Sequence, residues 1–397
     1  MLNTFAWNGN NLNKSRENKR RESFIIMEIK NIEIDKLRKN TGITLIALVI
    51  TIIILLILAG VSIAMLTGNN GILTQAKNAK QATENAAENE ETTLAQVEAN
   101  THLENYEYID EEGNKAIIPA GFAVSNKENE KLISKGLVII GTNGNEYVWV
   151  PCTEETYARE TSAWWIENDP KDNPTLATKD ELTLGNVTQS SGEDKNGITT
   201  TVLQEIVEQV TSEKISIRDN GGYYIGRYEV GKEDEKAVVK PNRDPYTNLI
   251  WSDAYKNAKS INVGNGVSSY LCSSYAWDTA IKFIETHSEA TNYGDTRENL
   301  NENWSDKEVR DKNGKIIKEA DESKKLQTGL TSPKANIYDM GGNVKEFTTE
   351  LNPNTSEAVI LRGGFYDKSN MAAGPRVDTS SASNQSQFGF RSTLFVK

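Results

Sequence analysis

Apolar side chains are laid along this chain in three textures. From Ile43 to Leu66 they are almost continuous, "ITLIALVITIIILLILAGVSIAML", and no charged residue occurs between Asn40 and Gln75. Those 24 residues would span about 36 Å as a helix, enough to cross the hydrocarbon core of a bilayer. The pattern therefore predicts a transmembrane helix over 43–66. The next stretch is rich in Ala, Glu, Gln and Lys once Gly68 to Gly71 are passed, with apolar positions at Ile72, Ala76, Ala79, Ala86, Leu94 and Val97. That spacing predicts a weakly amphipathic stalk helix from Ile72 to Asn105. From Tyr106 onward short alternating runs are separated by Gly, Asn, Asp and Ser, the texture of strands and turns with a few helices.

The expected class is α+β, and the expected order is a segment 1–42, the membrane helix 43–66, a stalk 67–105, a connector 106–135 and a head 136–397. Within the head, "GLVIIGTNGNEYVWVP" predicts a hairpin turning at "TNGN", with Val148 and Val150 on one face and Tyr147 and Trp149 on the other. "YYIGRYEV" predicts a strand, and Trp277, Ala280, Ile281 and Ile284 mark a packed helix over 273–287. Residues from about 153 to 220 are polar, so they are expected to form a surface insertion carrying one helical stretch, "TVLQEIVEQV".

Charge narrows the function classes. The formal net charge is −12, and residues 1–42 carry nine Lys/Arg against five Asp/Glu, which leaves −16 on the rest. A body so acidic is not a general nucleic-acid binder, because phosphate contacts need clustered Lys and Arg. Lys36, Arg38 and Lys39 stand immediately before the apolar run, which orients the N-terminus to the cytoplasm and the head outside. Cys152 and Cys272 are the only thiols, so a single disulfide or two buried free thiols are the open alternatives.

The basic stretch ending in Gly42, followed by "ITLIALVITIIILLILAG", resembles the leader and first helix of type IV prepilins. The resemblance implies cleavage after Gly42 by a prepilin peptidase, methylation of the new N-terminal Ile43, and other pilin-like subunits as partners. Most pilins carry Glu as the fifth mature residue, where this chain has Ala47, so incorporation into a fibre is in question. Initiation at Met27 would give a 16-residue leader.

Seven landmarks occur in order over about Gly136 to Lys397: "GNEYVWVP", "YYIGRYEV", "IWSDAYKNA", "YAWDTAIKFI", "NIYDMGGNVKEF", "VILRGGFYD" and "FGFRSTLFV". Together they resemble the formylglycine-generating-enzyme type of C-type lectin fold, an irregular α+β domain. Oxidases of that family use a pair of cysteines near the C-terminus to bind copper, and this chain has no thiol after Cys272. Related non-haem iron enzymes need a histidine cluster, and only His102 and His287 are present. The expectation is a non-enzymatic head, against the alternative of an extracellular formylglycine-generating-type oxidase or related enzyme. Asn343 and Glu346 match family positions that can hold calcium, with hydrogen bonding of the turn as the other reading. Arg362 and Arg391 are expected to be paired inside the fold.

The segment "GGFYDKSNMAAGPRVDTSSASNQSQFGFR" mixes aromatics with short polar groups, as recognition loops do. Diversity-generating retroelements place their variable segment between an "RGG" and a "GFR" landmark in heads of this type. That resemblance implies a ligand-binding, diversified surface with contacts among Phe365, Tyr366, Asp367, Ser369, Asn370, Met371, Arg376, Asp378, Ser383, Asn384 and Gln387. The expected function is a membrane-anchored or pilus-associated surface protein that binds a protein or glycan ligand, with a secretion-system pseudopilin as a further alternative.

Overall fold

A computed structural model describes residues 9–67, 71–159, 198–262, 266–296, 301–351, 358–368 and 371–397. The chain divides into two units, residues 1–86 and residues 87–397.

The first unit holds helix α1 (Gly9–Thr67) and the start of α2 (Ile72–Ala99). Among the described residues, no helix is long and apolar enough to cross a membrane. Of the expected span, side chains are described only over 47–60, where Leu48 to Leu58 are exposed; the other side chains of the span lie outside the description. The helix α2 ends at Ala99, short of Asn105, and its last turns belong to the second unit, where Ala95 and Ala99 are buried.

After α2 the second unit continues with a hairpin of β1 (Tyr106–Ile109) and β2 (Lys115–Ile118). Then follow β3 (Phe122–Val124), β4 (Val138–Gly141), β5 (Glu146–Pro151), helix α3 (Thr200–Asn220) and β6 (Gly222–Gly226). A small sheet of β7 (Gly231–Glu233), β8 (Lys236–Val238) and β9 (Asp244–Pro245) precedes α4 (Trp251–Ser260), β10 (Val267–Leu271) and α5 (Ser274–His287). After the short pair β11 (Val309–Arg310) and β12 (Ile316–Lys318) come β13 (Lys345–Leu351), β14 (Ala358–Arg362), β15 (Val377–Ser380), β16 (Phe388–Phe390) and β17 (Ser392–Val396).

Six strands pair antiparallel in the order β10-β17-β6-β5-β4-β3. Both faces of this sheet are covered. Tyr147 and Trp149 of β5 join Trp251, Ala254 and Tyr255 of α4 in one core, while Val148 and Val150 join Trp277, Ala280, Ile281 and Ile284 of α5 in another. Strands buried on both faces read as apolar runs, which is why "YVWV" carries no polar position. A second sheet has the order β15-β14-β13-β16, in which β13 and β16 run parallel.

The stretch expected as a surface insertion contributes a core element. The helix α3 starts where the Thr199 side chain accepts from Val202 N, and ends at Gly221 with φ +78°. It packs against β6 and β17 with Leu203, Ile206 and Ile217 buried. Its polar residues Gln209 and Glu213 are buried too: Glu213 accepts from Gln209 Nε2 at 2.8 Å, Tyr157 OH at 2.7 Å and Ser273 Oγ at 3.0 Å. Burial raises its carboxyl from the ordinary 4.5 to about 7, against the lowering effect of those donors.

Of the two alternatives for the cysteines, the structure has free thiols: Cys152 and Cys272 are both unbridged. They follow β5 and β10, which are separated by β6 and β17, so three strand spacings of about 4.8 Å lie between them. That exceeds the roughly 7 Å between Cα atoms that a bridge tolerates. Burial pushes the Cys152 thiol up to about 12.

Candidate functional site

The segment 363–391 leaves the second sheet at the end of β14 and returns through β15 and β16. Its start and its middle are fixed by charges sealed inside the fold. Arg362, with no exposure, pairs with Asp278 of α5 and donates to Gly374 O through Nε at 3.1 Å and Nη2 at 2.7 Å. Arg376 donates to the other Asp278 oxygen at 2.6 Å and to both oxygens of Glu350 at 3.1 and 3.0 Å. Arg159 reaches Glu350 at 3.2 Å, and Ser274 donates to the same carboxylate. Trp277 Nε1 donates to Ala373 O at 3.1 Å.

Electrostatics follow from this crowding. Burial alone would raise the Glu350 carboxyl, but the guanidiniums of Arg376, Arg159 and Arg362 outweigh it and hold the group down to about 2. Burial, with the like charge of Arg376, lowers Arg362 to about 10. Breaking one partner of such a buried pair is worth about 3–5 kcal/mol.

Along this segment the expected contact residues divide. Phe365 and Met371 are 6% and 3% exposed and pack inward, and Arg376 is a member of the buried network. These three are corrected from surface contacts to frame residues, because their partners lie beneath the loop. Tyr366 is half-buried with its OH 3.5 Å from Ser386 Oγ, and Asp367 is exposed and accepts from Ser323 Oγ at 2.7 Å. Ser383 accepts from Thr379 at 3.0 Å, Asn384 is exposed, and the Gln387 carbonyl accepts from Lys345 N at 2.8 Å. Ser369 and Asn370 lie outside the described residues, as does the side chain of Asp378 in β15. The structure thus brings Tyr366 and Asp367 together with the 383–387 turn as one polar face.

The two expected calcium ligands have other work. Both oxygens of Glu346 accept from Arg391, whose Nη2 lies 2.6 Å from Oε1, and neither residue is exposed. Asn343 sits at φ +54°, where its Oδ1 accepts from Asn303 Nδ2 and Leu326 N at 2.9 Å each. Its Nδ2 donates to Glu229 at 2.7 Å. With these acceptors committed to protein donors, the pair does not fit a calcium ion, and the turn-bracing reading of "GGNVKEF" holds. Arg362 and Arg391 are both paired inside the fold as expected. Among the described residues, no group of three or more His, Cys, Asp or Glu side chains is arranged to hold a metal. Gly42 and Ile43 stand on the helical backbone of α1, with side chains outside the described residues.

Sequence reasoning missed Asp278, Glu350, Ser274 and Arg159, the acids and their companions that grip the loop. Asp278 lies 98 residues before Arg376, and no periodicity links them. It missed Ser323 and Lys345 as well, which join the polar face from other segments.

The profile described as "Sulfatase-modifying factor enzyme 1-like domain" matches residues 190–394, just over half of the 397. Among solved structures the chain is similar to CarF, at 14% identity over 44% of this chain and 87% of that one, with a TM-score of 0.30. PvdO from Pseudomonas aeruginosa matches at 14% identity over 44% and 81%, TM-score 0.29. Treponema denticola variable protein 1 matches at 15% identity over 73% and 99%, TM-score 0.27. No curated protein matches. By the profile match, the chain belongs to the sulfatase-modifying factor enzyme 1-like family.

Proposed function

We propose that the second unit is a non-enzymatic binding head that presents the polar face of Tyr366, Asp367, Ser383, Asn384 and Gln387 to a ligand. The observation that carries the reading is the set of buried pairs that pin the segment, Arg362 and Arg376 on Asp278 and Arg391 on Glu346, with Tyr366 and Asp367 between the first two and Ser383, Asn384 and Gln387 between the last two. Rigid support beneath adaptable polar groups is what recognition needs. The absence of any cysteine after Cys272 supports a binding role over copper oxidase chemistry, since the sequence offers no thiol pair there. The apolar run 43–66, with its basic flank, would anchor the head outside the cell after processing at Gly42. On this reading Tyr366, Asp367, Ser383, Asn384 and Gln387 are the side chains open to diversification.

The test is a binding screen of the full chain against glycans and cell-surface extracts, run beside the double variant Tyr366→Ala, Asn384→Ala. Ligand capture by the wild type and its loss in the variant, with unchanged thermal unfolding, is the expected result. Stoichiometric copper or iron in the purified protein, with turnover of a thiol substrate, would overturn the proposal.

A further inference from the structure

The polar face is assembled from more of the chain than the 363–391 segment. Ser323 donates to Asp367, Leu326 N donates to Asn343, and Tyr366 N donates to the Asn343 carbonyl. Lys345 N donates to the Gln387 carbonyl and Asn248 N to the Gln385 carbonyl. Residues 247–248, 323–326, 343–345, 365–368 and 385–387 therefore meet in one place.

The charge of these segments runs against that of the chain, whose formal net charge is −12. Their described residues carry Lys325, Lys345 and Lys368, besides Lys324, and the single carboxylate of Asp367, which is already engaged by Ser323. The Lys325 ammonium donates to a neutral hydroxyl, Thr247 Oγ1, at 2.8 Å. Burial lowers its pKa, and the acids Glu229 and Asp244 offset this only in part. The Lys345 ammonium lies 4.8 Å from the ring centre of Phe365, directly under the loop. Lys368 is exposed. A partly desolvated ammonium such as that of Lys325 gains most from an incoming anion, because a charge-assisted hydrogen bond replaces a partner of lower strength.

The surrounding chemistry narrows the anion's carrier. A protein partner is usually held by a large apolar anchor in a pocket, yet Phe365 and Met371 of this loop are turned inward. What the face offers is the half-buried ring of Tyr366 beside Ser386, with Asn384 and Gln385 exposed. Short hydroxyl and amide groups that both donate and accept match the hydroxyls of a saccharide.

We infer that the ligand of this face is an acidic glycan whose carboxylates or sulfates engage Lys325 and Lys368; the inference rests on the reading of the face as a binding surface. The full chain is immobilised and titrated with dextran, carboxymethyl dextran, dextran sulfate and polyglutamate at several salt concentrations. Binding of one or both acidic dextrans, no binding of dextran, and at least about tenfold weaker binding by Lys325→Gln, Lys368→Gln are expected, since two charge-assisted contacts are lost. Lys115→Gln, on the β1–β2 hairpin, serves as the matched control, and thermal unfolding of each variant checks folding.

Equal weakening by Lys115→Gln, or binding of neutral dextran as tight as that of the acidic ones, overturns the inference. So does lysine-dependent binding of polyglutamate alone, which assigns the face to an acidic protein. If no acidic probe binds while Tyr366→Ala, Asn384→Ala still abolishes capture from surface extracts, the inference fails and the binding-head reading stands. If the wild type captures nothing in either assay, both fall.

Discussion

Replacing Glu213 by Gln removes a charge from the middle of α3 while keeping the shape of the side chain. The carboxyl is fully enclosed and bonded to Gln209, Tyr157 and Ser273. The amide can satisfy the same set, since the two hydroxyls can accept as well as donate. In the folded protein burial raises the carboxyl from 4.5 to about 7. A raised carboxyl pKa means the folded state holds a proton that the unfolded state has released. Stability supplied by that proton is complete below about 4.5 and is lost as pH rises through about 7. The interval corresponds to about 3 kcal/mol at 1.36 kcal/mol per pH unit. Urea unfolding of the full chain, followed by tryptophan fluorescence at pH 5, 6, 7 and 8, measures it. The wild type should lose about 3 kcal/mol relative to Glu213→Gln between pH 5 and 8. Parallel pH profiles for the two proteins would refute the argument, because they would mean that Glu213 is ionised without cost or hydrated.

Asp278→Asn should destabilise the head by about 3–5 kcal/mol, because the guanidiniums of both Arg362 and Arg376 lose their shared counter-charge. A urea midpoint within error of the wild type would contradict it. Gly342 has φ +81°, and a Cβ there would stand 2.7 Å from the Asn303 carbonyl oxygen; Gly342→Ala should therefore cost at least about 2 kcal/mol, read as a lowered melting temperature. Reducing agent should leave the melting temperature unchanged, since both cysteines are free, and thiol labelling of the native protein should be slow until urea exposes Cys272, which is fully buried. A lower melting temperature on reduction would show a disulfide after all.

The parts of the head that could be read from the sequence are those in which side-chain period follows burial. The turn at "TNGN" and the split of Tyr147 and Trp149 from Val148 and Val150 into separate cores match the alternation of β5. The helix over 273–287 matches α5, Ser274–His287, since its apolar stripe is what packs. The helix α3 was read as surface because its buried face includes Gln209, Glu213 and Ser216. Composition cannot distinguish a solvated Glu from one enclosed by three donors. The same limit put Arg376 on the binding face and Asn343 and Glu346 in a cation site. Their partners lie 17 to 114 residues away in sequence, and only the folded chain brings them within reach.

Part of the grip on the loop after Arg362 falls on main-chain atoms. Arg362 holds the carbonyl of Gly374, Trp277 holds that of Ala373, and Gly374 N is held by the carbonyl of Gly294. A carbonyl is the same in every amino acid, so this clasp is blind to the side chains carried between Tyr366 and Asn370. On the proposed binding-head reading, such a clasp would tolerate changes at Tyr366 and Asp367 without asking the scaffold to adapt.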